Sequence, residues 1–137
     1  MPWGGVVVTD HSRAQVGTVQ VQLTEQATND PVFAGCPDPL DVQAGHQDIV
    51  DRLPENAVCL AGSSLVAHQA FRLSDRPVYG TQFHPELDRA GLLERIHAYP
   101  QYVENIAGIT LQQFVSHCRE TPDSAAVLQR FASTFAG

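Results

Sequence analysis

Apolar and polar positions change rhythm past the middle of the chain, and that change sorts the elements they predict. Val6-Val7-Val8-Thr9 is a β-branched run behind Gly4-Gly5. Thr18-Val19-Gln20-Val21-Gln22-Leu23-Thr24 alternates apolar with polar, the two-residue period of a strand buried on one face. Asn29-Asp30-Pro31 and Gly35-Cys36-Pro37-Asp38-Pro39 have turn composition, and a strand is predicted from Leu40 to Ala44. Val58-Cys59-Leu60-Ala61, following Pro54-Glu55-Asn56, reads as a short buried strand. Gln69 to Leu73 and Val78 to Phe83 flank Ser74-Asp75-Arg76-Pro77, which predicts a hairpin.

Beyond His84 the period becomes helical. Leu87, Leu92, Leu93 and Ile96 fall close to helical spacing, with Pro85 in the first turn of that helix. Leu111, Phe114, Val115 and Cys118 mark a second helix. Thr121-Pro122-Asp123-Ser124 introduces a third, with Ala125, Leu128, Phe131, Ala132 and Phe135 on one face. No repeat, low-complexity tract or internal linker divides the chain. Strands first and helices last suggest an α+β arrangement. An open sheet needs cover on both faces, however, and three late helices fall short of that. The chain therefore reads as part of something larger.

Length and composition narrow the function. A chain of 137 residues falls in the range of one domain, and 43% hydrophobic with 17% charged residues is globular rather than disordered. Fifteen acidic against eight basic residues give a net charge of −7, spread along the chain. Such a surface repels a phosphate backbone, which argues against nucleic acid, and no basic cluster suggests binding to an anionic membrane. The Val6–Val8 run is too short for a signal core or a membrane span. Three dispersed cysteines suit a reducing compartment, so a cytoplasmic location is expected. The six histidines include no His-x-x-x-His pair, and neither metal nor cofactor is expected.

The stretch that carries chemistry is Val78-Tyr79-Gly80-Thr81-Gln82-Phe83-His84-Pro85-Glu86. A strand delivers a histidine at its C-terminal end, where active sites gather in open α/β sheets, and a carboxylate follows two residues later. A histidine there can serve as a general base, and a nearby glutamate can fix its tautomer and stabilise the imidazolium. Spacing alone does not establish this, because His-x-Glu is also an ordinary helix start with an acidic first turn.

The surrounding segments are more specific. The Val78–Glu86 stretch resembles the signature that closes the class I (triad) glutamine amidotransferase domain. Gly45-His46-Gln47-Asp48-Ile49-Val50, Leu53-Pro54 and Leu60-Ala61-Gly62-Ser63-Ser64 resemble that family's His-x-Asp, Leu-Pro and Ala-x-Ser segments, in the same order. Gln69-Ala70-Phe71 resembles the strand before the final motif. The resemblance runs from about Gly4 to Glu86 and is greatest to the stand-alone, GMP-synthase-like members. It implies the C-terminal part of a flavodoxin-like α/β domain, an open sheet with late helices, with residues 1–86 strand-rich and 87–137 helical. It also implies hydrolysis of the glutamine side-chain amide with transfer of ammonia, with His84 the general base and Glu86 the residue that orients it. His46 would be a substrate-binding residue on the loop lining the glutamine pocket, holding that loop by hydrogen bonds rather than acting chemically.

One part of the family pattern has no counterpart. The nucleophile is a cysteine in a Gly-x-Cys-x-Gly elbow upstream of the other segments. Cys36 lies in Ala34-Gly35-Cys36-Pro37-Asp38, Cys59 lies inside a predicted buried strand, and Cys118 follows the His-x-Glu motif; none fits. The expectation is an incomplete domain whose elbow and oxyanion-hole glycines precede Met1. Such a chain is inactive alone, because without the thiolate His84 has no proton to take. Glutamine is the expected ligand once the domain is completed. A synthase partner, or self-association through exposed sheet, is the expected company. The competing reading is a non-catalytic pseudo-amidotransferase serving as an interaction module.

Overall fold

The computed structural model describes residues 3–136, with seven strands, three α-helices and short 3-10 and π turns among them. Five strands form one antiparallel sheet in the order β3-β2-β5-β6-β7: β2 (Gln15–Leu23), β3 (Leu40–His46), β5 (Ala57–Gly62), β6 (Ala70–Leu73) and β7 (Tyr79–Thr81). β1 (Val6–Thr9) and β4 (Asp48–Arg52) pair separately as an antiparallel ribbon, on which Val6 and Val7 stay exposed. β4 was not expected from the pattern, since only Ile49 and Val50 mark it. Every strand pairing among the described residues is antiparallel.

Two features place the residues of interest. β3 and β4 are separated by Gln47 alone, and there the chain leaves the large sheet for the ribbon. The large sheet also curls until its two edges meet. Ala44 of β3 bridges to Phe83, just beyond β7, and the His84 N–H donates to the Gln43 carbonyl at 2.8 Å. His84 is thereby pinned beside Gly45 and His46, although 39 residues separate His84 from Gly45.

The alternation in β2 does what its period predicts. Val21 is fully buried, with Leu40, Val42, Leu60 and Phe83, while Gln20 and Gln22 face outward. Val32 and Phe33, from the irregular segment after β2, complete this core, and each such side chain contributes about 1.5–3 kcal/mol when removed from water. That segment is clipped down by Asp30, whose buried carboxylate accepts from the Val32 N–H at 2.9 Å, the Tyr79 hydroxyl at 2.9 Å and Arg72 at 3.1 Å. Burial together with the Asp30 carboxylate pushes the Tyr79 phenol up to about 12.

The helices cover both faces unevenly. α1 (Arg89–Ala98) starts four residues later than Pro85 suggests, because Asp88 caps it by accepting from the Gly91 N–H at 2.7 Å. α2 (Leu111–His117) opens with a reciprocal Thr110–Gln113 capping box. Leu92, Ile96, Val103, Phe114 and Cys118 make a second core, against which Val16 of β2 packs. Phe114 lies over Gly17, where φ is +101° and a Cβ would come within 2.8 Å of the ring. α3 (Pro122–Phe131) buries Ser124 and Val127, not the expected Leu128, which is 44% exposed like Phe135 at 40%. The small Ser124 side chain lets the helix settle on that neighbouring line. No helix is long and apolar enough to cross a membrane among the described residues.

Candidate active site

The His-Pro-Glu motif is a tight turn rather than the start of a helix. Proline pre-sets its own φ for the second position of a turn, and the Leu87 N–H closes that turn onto the His84 carbonyl at 3.2 Å. The reversal swings Glu86 back over the imidazole, so that His84 Nδ1 donates to Glu86 Oε1 at 2.7 Å. The two side chains are 29% and 51% exposed, so solvent screens the pair and it adds under about 1 kcal/mol to stability. What the contact does control is the tautomer: a proton held on Nδ1 leaves the Nε2 lone pair free. Nε2 lies 3.5 Å from the Gly45 carbonyl, an acceptor suited to the proton that an imidazolium would carry.

His84 opens onto a cavity of about 350 Å³, within the range of small-molecule pockets (roughly 300–1,000 Å³). One wall is made by Ala44, Gly45 and His46 of β3 with Gln47 and Asp48. The facing wall is α1 and the turn after it, where Leu92, Ile96 and Tyr99 present apolar surface and Arg95 a cation. Tyr99 and Tyr102 meet edge to face with centroids 6.1 Å apart. The periodicity of the first helix predicted the apolar part of this wall. Neither the tyrosines nor Arg95 carries a motif that could have announced them.

His46 is placed differently from the loop position expected of it: it is the last residue of β3, held by the pairing of Gln15 with His46 across β2 and β3. It does line the cavity. Its Nε2 stands 3.1 Å from Gln15 Oε1, whereas its Nδ1 is buried and unpaired. Burial lowers its pKa from the ordinary histidine value, and the neighbouring His84 charge adds to this, with the Asp48 backbone and carboxylate opposing. The two imidazoles therefore differ in kind, although both face the same space.

None of the cysteines lines this cavity. Arg130 contacts Cys36 Sγ at 2.7 Å, Cys59 donates to the Ala61 carbonyl at 3.4 Å, and Cys118 is buried at the end of α2. Burial pushes all three thiols up, the reverse of what a nucleophilic thiolate needs. Among the described residues no group of three or more His, Cys, Asp or Glu is arranged to hold a metal ion.

Residues 3–90 match the family described as glutamine amidotransferase class-I. Over 85 residues the chain is 38% identical to one subunit of a glutamine-hydrolyzing GMP synthase from Methanothermobacter thermautotrophicus, covering 62% of this chain and 44% of that protein. Over 71 residues it is 42% identical to the like-named subunit from Methanoculleus marisnigri, covering 52% of this chain and 37% of that one. The chain thus spans less than half the length of these relatives. Among solved structures, a glutamine amidotransferase from Thermotoga maritima superposes with a TM-score of 0.75 at 23% identity, covering 96% of this chain and 56% of that one.

Proposed function

The chain belongs to the class I glutamine amidotransferase family, and from that premise we propose that it carries the base and its orienting carboxylate for hydrolysis of the glutamine side-chain amide with transfer of ammonia. The observation that carries the proposal is the 2.7 Å contact from His84 Nδ1 to Glu86 Oε1, made by a histidine that opens onto the cavity. In this reading Nε2 takes the proton of a cysteine thiol, the thiolate attacks the amide carbon, and the proton passes to the ammonia that departs as the C–N bond breaks. Water then cleaves the thioester to release glutamate and restore the thiol. Glu86 holds Nδ1–H throughout and stabilises the imidazolium. His46 contributes to binding from the end of β3.

The thiol itself is proposed to come from outside these 137 residues. In support, all three cysteines lie away from the cavity lining and have raised pKa values. The chain alone then turns over no glutamine. Ammonia would pass to a synthase partner, and the exposed Trp3, Val6 and Val7 offer apolar surface for association. The same remoteness of the thiols favours a second reading, a pseudo-amidotransferase that keeps the fold as an interaction module.

A glutaminase assay separates the two. The chain is measured alone and together with a polypeptide supplying the Gly-x-Cys-x-Gly segment of a relative. Activity that appears only on mixing supports the catalytic reading. Silence in both, with binding between the two polypeptides demonstrated, leaves the interaction module.

A further inference from the structure

Behind His46 runs a chain of polar side chains whose direction is set by the backbone. It begins at Val66, whose N–H donates to Ser63 Oγ at 3.1 Å. The Ser63 hydroxyl in turn donates to the Val66 carbonyl at 3.2 Å. With its one proton committed there, Ser63 Oγ can only accept from its next neighbour, the Gln69 side chain at 3.2 Å. The amide edge that Gln69 presents must therefore be its NH2 group. That same Nε2 reaches Gln15 at 3.0 Å, so the edge that Gln15 presents is its oxygen. His46 Nε2 lies 3.1 Å from this oxygen. An oxygen that already faces one donor can be satisfied there only by another N–H.

We propose that Gln15 is a positioning residue that holds His46 as the tautomer protonated on Nε2, leaving Nδ1 as a buried, unpaired hydrogen-bond acceptor at the cavity wall. Gln69, 1% exposed, is the joint that fixes the carboxamide of Gln15. Nothing in this chain of donors is charged; what favours the protonated form of His46 is the backbone and carboxylate of Asp48, and burial outweighs them. The charged groups close to it are His84, which opposes protonation, and Asp48, which favours it. Resting on the amidotransferase reading, the consequence is a division of labour: His46 stays neutral beside His84, and the proton traffic passes through His84 alone.

The test is nitrogen-15 NMR of the histidine side chains in the 137-residue chain, which reads the tautomer directly and needs no turnover. The expected result is a protonated Nε2 and a bare Nδ1 on His46. Gln15→Leu, which removes the acceptor, should give mixed tautomers. Gln15→Glu keeps an oxygen in place, so the Nε2–H signature should persist while the His46 pKa rises by about 1–3 units beside the new charge. A proton on Nδ1 in the unaltered chain overturns the proposal. So does a tautomer unchanged in Gln15→Leu, or a His46 titration that Gln15→Glu leaves where it was. Should the glutaminase assay fail while these signatures hold, the functional reading falls and the positioning role stands.

Discussion

His84 and His46 face the same cavity from surroundings that have little in common. His84 sits in a turn, half open to water, with a carboxylate on one nitrogen and space beside the other. His46 ends a strand, is held by a neutral carboxamide, and has its second nitrogen buried. A carboxylate on Nδ1 makes an imidazole ready to accept a proton at Nε2 and hold it. Burial, with a neutral carboxamide as the side-chain partner on Nε2, makes an imidazole that resists protonation. Two residues of one type are thus set in opposite surroundings by what stands behind them.

The largest effect should come from the exposed corner. On the catalytic reading, in the mixture with a polypeptide supplying the Gly-x-Cys-x-Gly segment, Glu86→Gln should lower kcat by roughly 10⁴-fold, because a carboxamide no longer enforces the productive tautomer. The melting temperature should hardly change, since substitutions at such exposed positions fall within about 0.5 kcal/mol. Comparable loss of activity and of stability would place Glu86 in the scaffold instead. At the other corner the balance should reverse. Gln69→Ala removes a buried side chain and both of its donors, and should cost about 2–3 kcal/mol in chemical denaturation.

A smaller effect separates the two histidines by pH. The folded-state pKa of His46 lies below the free value of 6.5, so below that value the unfolded chain takes a proton that the folded chain refuses. Stability is then fully present above pH 6.5 and declines as pH falls through the folded pKa, and His46→Asn should flatten that decline in thermal melts. The smallest effect belongs to the residue between the two. A Cβ at Gly45 would stand 3.8 Å from the His84 ring, an ordinary contact, so Gly45→Ala should keep stability within about 0.5 kcal/mol. A large destabilisation would show that the wall of the cavity is packed more tightly than these distances say.

The exposed corner was also the more legible one. His84, Pro85 and Glu86 are adjacent in sequence, and a proline between a base and a carboxylate constrains their geometry locally. The buried corner draws on Gln15, His46, Ser63 and Gln69, and Gln15 and Gln69 alone are 54 residues apart. Nothing in a strand's alternation marks a glutamine as inward, yet Gln43 and Gln69 are 0% and 1% exposed. The strands themselves were visible in the pattern because apolar alternation is local. β4 escapes because its ribbon buries so little. The face expected of α3 is right at Phe131, which packs against the core, but not at Leu128, since Val127 and Leu128 serve equally well by spacing. The curl that brings Phe83 to Ala44 has no local signal at all.

The segment after β2, clipped by Asp30, is held a second time from α3, and this has a consequence for synthesis. Arg130 of α3 donates to the Val32 carbonyl at 2.6 Å across 98 residues. At roughly 5–20 residues per second, a ribosome takes about 5–20 s to make that intervening stretch. For that time Val32 and Phe33 wait without the helix that covers their end of the core, and the nascent chain is then open to capture by chaperones or by its own copies.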